Sequence, residues 1–412
     1  MNAILASLLI AAASQPAARI ADEPRWFRGN THTHTLWSDG DAPPETVVAW
    51  YVDHGYQFLV LSDHNLMQIG ERWFDVQPDG RLTPEKVQKV RTRFGDDWPE
   101  TRSRDGEQSM RLRTLDELKE HFDRPRTFLL IPGEEVTSSH RMSQIHINAI
   151  NIQEPLPALR TGSVQDTIQD NIDAIRAQGR ERNRPVIAHL NHPNFQNSLA
   201  SSNLAAIEGD AFFEVYNGHR SVQNERVGDR PSTEEMWDLA LIARLHDSGN
   251  GAMLYGIASD DAHDHYAPDA VSIPGRGWIM VRADDLEPDT IVRAIQAGDF
   301  YASTGVEIQD IGLDQTTFTV DIATRPGITY ETEFIGAVRG KDGTRPTSTI
   351  LARTNDDPAI YRFTGDELYV RAKVTSSRPH PRPYREGDME TAWTQPVPGS
   401  RPSDDPSGAG KP

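Results

Sequence analysis

Between about Trp26 and Gly305 the chain alternates short apolar runs with longer stretches in which apolar residues recur at helical spacing. The apolar runs are QFLVLSD (57–63), TFLLIPG (127–133), IHINAINI (145–152), PVIAHL (185–190), AFFEVYN (211–217), MLYGIAS (253–259) and GWIMVR (277–282). Each has strand length and is rich in Val, Ile, Leu, Phe or Tyr. None shows the strict polar alternation of a sheet with one wet face, so the strands are expected to be buried on both faces. Amphipathic helix candidates lie between them at 44–55, 113–122, 164–179, 232–249 and 287–299. Ser232 followed by Glu235 predicts a capping box, and Gly55, Gly179, Gly249 and Gly298 stand where helices are expected to stop. Strands alternating with helices about seven times predict an α/β fold with parallel strands, closed into a barrel rather than left as an open sheet.

Three stretches break this rhythm. Residues 66–126 are polar, Arg-rich and Trp-containing, and read as an insertion near the active face. After Gly305, segments such as TTFTVDIAT and LYVRAKVTS have β character with polar alternation, so 306–376 is expected to be a small β-sandwich-like domain. From 377 to 412 the chain is rich in Pro, Ser, Gly and charge, the composition of a disordered tail. At the other end, the apolar run Ala3–Ala13, followed by small residues, has the length of a signal-peptide core and is too short to span a bilayer. Residues 1–24 are therefore read as a signal peptide and the protein as exported, periplasmic or secreted. No later segment is long and apolar enough for a membrane helix.

Composition narrows the chemistry. With 412 residues the chain has room for a large enzyme domain plus an accessory piece. It has no cysteine, which excludes disulfides, thiolate metal sites, iron–sulfur clusters and Cys nucleophiles. The net charge of −19 argues against long nucleic acids and anionic membranes as partners, but not against a small anionic substrate, since metal ions reverse a local field. No G-x-S-x-G elbow and no glycine-rich phosphate or dinucleotide fingerprint is present.

The histidines and acids gather at the C-terminal ends of the expected strands, where barrel enzymes place their sites. NTHTHTLWSDG (30–40) holds His32 and His34, whose i,i+2 spacing turns both imidazoles one way on an extended segment, with Asp39 in the turn that follows. VLSDHN (60–65) runs straight into Asp63, His64 and Asn65. LLIPGEEVTSSHRMSQIHINAI (129–150) offers Glu134, Glu135, His140 and His146, and of the two adjacent glutamates one should face the site and the other away. VIAHLNHPN (186–194) offers His189 and His192, and YGIASDDAHDH (255–265) offers Asp260, Asp261, His263 and His265. A lone cluster of this kind could be polar surface, but five at successive strand ends point to metal. His and carboxylate suit Mn²⁺, Fe²⁺ or Zn²⁺. So many candidates exceed the needs of one catalytic ion, so two or three divalent ions are expected.

These motifs resemble those of the PHP (polymerase and histidinol phosphatase) superfamily, over about residues 26–305. HTHTLWSDG looks like its H-x-H-x4-D element, SDHN like its second motif, PGEE like its G-x-E, NHP like its H-P element and DAH like its last motif. The resemblance selects Glu135 over Glu134 and His192 over His189. It implies a nine-residue metal set: His32, His34, Asp39, His64, Glu135, His146, His192, Asp261 and His263. It also implies a distorted seven-stranded (β/α) TIM-like barrel and a phosphoesterase-type reaction. YNGH (216–219) and the extra β domain look most similar to an exported subgroup that includes carbaryl-type carbamate hydrolases.

The resulting expectation is a hydrolase of small-molecule phosphoesters, a phosphatase or phosphodiesterase that attacks with metal-bound hydroxide. His34, Asp39, Glu135 and His192 carry the catalytic assignment. Arg141, His140, Asn217, His219 and Arg276 are substrate-binding candidates, alongside Asn65 and Asn191, while Asp63, Glu134 and Asp260 could orient ligand imidazoles. The alternatives are a carbamate or carboxyl ester hydrolase on the same metals and an exported protein that only binds metal or glycan. Turnover on model esters separates them.

Overall fold

The computed structural model describes residues 24–209, 211–247, 251–340 and 344–399. The expected signal peptide, apart from Pro24, lies outside the described residues, as do Gly249 and 400–412. The described residues form a mixed α/β structure with seven α-helices and four sheets. None of the helices is long and apolar enough to cross a membrane.

Two sheets carry the expected strands. In one, Arg25–Asn30, Phe58–Val60 and Leu129–Ile131 run parallel, with Trp278–Ala283 antiparallel on the outer side of Arg25–Asn30. In the other, Ile187–Leu190, Ala211–Asn217 and Leu254–Ser259 run parallel. The sheets meet where the chain passes through Pro132 from Leu129–Ile131 into Gly133–His140, and again at isolated parallel bridges, Thr33 with Ala262 and His64 with Glu135.

The alternation of strand and helix fails in two places: no helix separates Leu254–Ser259 from Trp278–Ala283, and none lies between Leu129–Ile131 and Ser143–Ile150. Gly133–His140 and Ser143–Ile150 form an antiparallel hairpin, and Ser143–Ile150 is antiparallel to Ile187–Leu190 as well. Only Arg141 and Met142 separate the two strands, with Arg141 at φ 55°, and a connection that short cannot make the crossover a parallel pair needs.

The helices start where their caps place them. Ser232 and Glu235 make the expected capping box at Thr233–Ile242, and Thr114 with Glu117 makes another at Leu115–Phe122. Gly55 and Gly298 have φ of 76° and 75°, as helix stops should. Gly179 instead lies inside Val164–Glu181, where a Cβ would stand 2.6 Å from a Val186 methyl, so close packing and not a cap accounts for it. Helix Pro288–Gln296 presses Ile291, Val292 and Ile295 into a core with Phe58, Ile187, Phe212, Ile257 and Ile279. Burying each such side chain contributes roughly 1.5–3 kcal/mol. Just past the C-terminal ends of the parallel strands the chain turns polar, at Thr31–Thr35, Ser62–Asn65 and Asp260–Asp261.

The 66–126 stretch is an ordered unit. It holds a three-stranded sheet of Trp73–Val76, Glu107–Arg111 and Thr101–Arg104, with helices Pro84–Phe94 and Leu115–Phe122. Its Val76, Leu82, Val87, Met110 and Leu112 pack on Leu36 and Trp37, and Arg81 donates to the carbonyls of Ser38 and Gly40 at 2.7 and 3.0 Å, bracing the Asp39 turn.

Two expectations for the C-terminal part are corrected. No sheet boundary falls at 305, because Phe300–Ser303 pairs on one side with Trp278–Ala283 and on the other with Met389–Thr394, and the sheet continues through Glu367–Pro379, Tyr330–Val338 and Ser348–Thr354. A three-stranded sheet, Ile308–Leu313, Thr317–Ile322 and Ala359–Arg362, adds Ile308, Phe318, Val320 and Tyr361 to a core with Phe334, Val370 and Val374. Nor is 377–399 disordered: Met389–Thr394 is a strand, and His380, Tyr384 and Trp393 are buried. Its prolines and charges mask a few aromatic anchors, and strand pairing of Met389–Thr394 on both sides holds it as well.

Candidate metal centre

The strand ends bring the nine expected ligand residues together. Four groups, each with donor atoms within 4.8 Å of one another, use all nine and share members: His34, Asp39, His64 and His263; His32, His34 and Asp261; His32, Glu135 and His192; His64, Glu135 and His146. The alternating His32 and His34 both turn inward, with Nε2 of His32 3.2 Å and Nε2 of His34 3.3 Å from Asp261 Oδ1. Asp39 bridges the far side, 3.5 Å from His64 Nε2 and 3.4 Å from His263 Nε2. Adjacent glutamates split as strand alternation requires. Glu135 is buried against His146, His64 and His32, whereas Glu134 points away and accepts the Leu156 N–H at 2.6 Å. His192 and Asp261 stand at positive φ, 24° and 49°, a backbone state that packing around a site has to impose.

The electrostatics favour a cation. Burial alone would empty the cluster of charge, but Glu135 and Asp261 are held well below the ordinary carboxylate range by the imidazoles around them. Burial lowers His34 to about 4, with neighbouring His263 adding to the effect, so its ring is a neutral donor at pH 7. His32 moves the other way, because Asp261, Glu214 and Glu135 together outweigh its burial. Nε2 of His32, His34 and His146 and Oε2 of Glu135 are buried without a hydrogen-bond partner. Orphaned lone pairs facing one another in a water-poor site are costly unless something binds them, and neutral imidazole with carboxylate is the donor set of a borderline divalent metal. The residues present therefore fit such ions.

A cavity of about 380 Å³ opens over the cluster. Asp39, His64, His146, His192, Asp261 and His263 line one side, and Phe195, His219, Val222, Asp264 and Ser272 line the rest. Of the substrate-binding candidates only His219 lies in this wall. Arg141 is exposed at the hairpin tip. His140 bonds the Thr161 carbonyl at 3.0 Å. Asn217 donates to Glu214 and Asp261 at 2.8 and 3.1 Å. Arg276 is fully buried and spends its guanidinium on the carbonyls of Gly218, Val271 and Ala270. Asn65 stitches to the Thr137 backbone, and Asn191 donates to Glu135 at 2.8 Å. The acids expected to orient imidazoles hold loops instead. Asp63 gathers Thr35, Ser38 and Gln68, and Asp260 accepts the N–H groups of Gly275, Arg276 and Gly277.

The imidazole-orienting acid that sequence reasoning missed is Glu214. It is buried in Ala211–Asn217 and accepts from His32 Nδ1 at 2.7 Å, Ser259 Oγ at 2.6 Å, the His192 N–H at 2.7 Å and Asn217 Nδ2 at 2.8 Å. Against its burial, His32 brings the carboxyl down to about 2. A single acid inside the apolar run AFFEVYN was the available signal.

No family model matches the chain, and no curated protein does. Solved structures do. Over 94% of this chain and all of the other, it is similar at 14% identity and a TM-score of 0.42 to a two-domain protein from Bacteroides vulgatus containing a predicted PHP-like metal-dependent phosphoesterase. A proposed metal-dependent phosphoesterase from Bifidobacterium adolescentis is similar over 67% of this chain and 96% of its own, at 14% identity and a TM-score of 0.33. An amidohydrolase from Chromobacterium violaceum with bound sulfate is similar over 60% and 92%, at 14% and 0.31. The chain is similar to PHP-like phosphoesterase structures.

Proposed function

We propose that this chain is an exported metal-dependent hydrolase of the PHP type that cleaves phosphoester bonds. The reading rests on one observation: nine side chains from six separate segments, four of them just past strand ends and two within the Gly133–Ile150 hairpin, converge with unpaired imidazole nitrogens turned toward shared carboxylates. A distorted seven-stranded barrel accommodates this, with the two sheets joined through the Pro132 passage and the Thr33–Ala262 bridge, so that the ligand segments open on one mouth.

His32, His34, His64 and Glu135 each belong to two of the four ligand groups, an arrangement suited to two or three neighbouring divalent ions. When bound, such ions lower the pKa of water and draw charge from the scissile group. The chain's own residues do the rest. Asp39, more than half exposed, reaches the cavity from a turn braced by Arg81 and Asp63. Glu214 fixes His32, and Asn191 fixes Glu135. His219 Nδ1 accepts the Ser221 N–H at 3.1 Å, so its neutral ring carries the proton on Nε2 and offers a donor to a substrate oxygen. Phe195 and Val222 give an apolar wall, and among the described residues no Lys or Arg lines the cavity, so a compact ester fits better than a polyanion.

The test uses protein as purified. Elemental analysis should find Mn, Fe or Zn bound, and p-nitrophenyl phosphate or its diester should be hydrolysed in preference to p-nitrophenyl N-methylcarbamate. A reversed preference moves the reading to carbamate esters, which the apolar wall would also admit. Bound metal without turnover leaves a metal-binding protein, and no metal defeats the proposal.

A further inference from the structure

The two halves of the cavity are held by different parts of the chain. The metal-side ligands stand on strand ends. The opposite wall owes His219 and Val222 to the loop Gly218–Val222, and that loop is fastened by the C-terminal stretch whose composition reads as a loose tail. The Tyr384 hydroxyl donates to the Val222 carbonyl. Arg220 returns the contact, donating through Nε to the Tyr384 carbonyl and through Nη2 to the Pro383 carbonyl, both at 3.1 Å. Tyr384 is only 7% exposed and its ring meets Tyr216 edge-on. Arg382 from the same stretch donates to the Pro274 carbonyl at 3.2 Å, beside buried Arg276, which holds the Gly218 carbonyl at 2.7 Å. No side chain fits at Gly218, since a Cβ there would meet the Asp260 carbonyl oxygen at 2.9 Å.

Resting on the hydrolase reading above, we propose that His380–Asp388 is a substrate-positioning clamp: by fixing the loop Gly218–Val222 it sets the Nε2–H of His219 and the methyls of Val222 opposite Phe195, and so selects esters of compact apolar alcohols. The segment His380–Asp388 itself contacts none of the nine ligand residues, and of the wall it holds only His219 meets one, His263, edge-on at 5.6 Å. Loss of the clamp loosens the seat of the leaving group and leaves metal binding intact. Loose anchoring costs substrate binding first, because the wall meets the part of the substrate that does not react.

The experiment compares phenyl phosphate with methyl phosphate, using full-length metal-loaded protein and the variants Tyr384→Phe, Arg220→Ala and Arg220→Lys. Tyr384→Phe keeps the ring and removes one hydrogen bond, so it folds if any variant here does. The expected result is a loss in kcat/KM of about three- to tenfold on phenyl phosphate, the worth of one to two buried hydrogen bonds, carried by KM. Methyl phosphate should change less than about twofold, because it keeps an oxygen for His219 but does not reach Val222 and Phe195. Metal content should be unchanged, and Arg220→Lys should recover part of the loss. Equal losses on both substrates would mean a purely structural role and overturn the clamp, as would wild-type kinetics in both Tyr384→Phe and Arg220→Ala. A wild-type protein that hydrolyses neither ester brings down the hydrolase reading and the clamp with it, a pattern distinct from either of those.

Discussion

Where helix Thr233–Ile242 meets the C-terminal strands, Arg371 is 1% exposed and donates through Nε and Nη2 to Asp238 at 2.9 and 3.0 Å, while Lys373 stands 2.6 Å from Glu234. Tyr369 and Ser348 supply further donors to Asp238, each at 2.9 Å. At the mouth of the strands, Asp39, Glu135 and Asp261 gather six imidazoles, and among the described residues no guanidinium or ammonium pairs with any of the three. Both regions take charge out of water, which is expensive unless it is balanced. In the first the balancing cations are part of the chain, so the region is complete on folding and ties helix to sheet. In the second the chain supplies only donors, so the balance has to come from protons or from metal. Burial of charge thus marks both regions, and the identity of the counter-charge separates structure from function.

The largest effect that could break this contrast is Asp261→Ala. It removes the oxygen nearest both His32 and His34 and should cut kcat/KM on a phosphoester by about a thousandfold or more. Far-UV circular dichroism should be retained and bound metal should fall. Normal metal content with normal turnover would place the site elsewhere. Arg371→Met should do the reverse. It strands Asp238 without its cation and should cost about 3–5 kcal/mol in urea denaturation, while the folded fraction keeps its metal. A small stability change there would mean that Tyr369 and Ser348 satisfy Asp238 unaided.

Glu45 sharpens the comparison, as a buried acid with neither solution. It is 1% exposed in the first turn of Pro44–Asp53, and nearby Arg113 is engaged by Glu117 at 2.9 Å. Burial raises its carboxyl from 4.5 to about 7. The unfolded chain releases this proton above pH 4.5 and the folded chain holds it until about pH 7, so this group makes the fold lose stability as pH rises across that window and adds no slope above it. Glu45→Gln should abolish that slope. The variant's advantage over wild type should grow by up to about 3 kcal/mol between pH 4.5 and 8, read from urea midpoints. Parallel pH profiles for the two proteins would show that water or Arg113 already serves the carboxylate.

Most of the site is legible in the sequence because its information is local. The i,i+2 pair His32 and His34 and the opposite facing of Glu134 and Glu135 follow from strand alternation, whatever the sheet order. The apolar strands and the Ser232 capping box are local in the same sense. What stayed hidden depends on distant pairing. Nothing near Phe300–Ser303 says that its partner is Met389–Thr394, so a domain boundary at 305 looked natural where the sheet runs on. Arg276 resembled a substrate cation because its backbone-carbonyl partners Gly218 and Val271 come together only in the fold. Tyr384 and Trp393 sit among prolines and charges that dominate any count of composition, yet burial of a few aromatic rings decides the order of that stretch.

Glu214 tests the boundary between the two kinds of buried charge, since it is an acid beneath the metal cluster whose four partners all come from the chain. Glu214→Gln keeps the shape and keeps an oxygen that can accept from His32 Nδ1, but it removes the negative charge that makes His32 a stronger donor at Nε2. It also forces an amide N–H₂ toward the His192 N–H and the Asn217 amide, both of which already donate. Metal affinity, measured by competition with a chromogenic chelator, should weaken by about 10- to 100-fold, with the fold retained and activity restored at saturating metal. That restoration separates Glu214 from a ligand such as Asp261, whose loss excess metal should not repair. Affinity unchanged in Glu214→Gln would mean that the geometry of His32, held by packing alone, is enough, and that the acid belongs with Asp238 as scaffold.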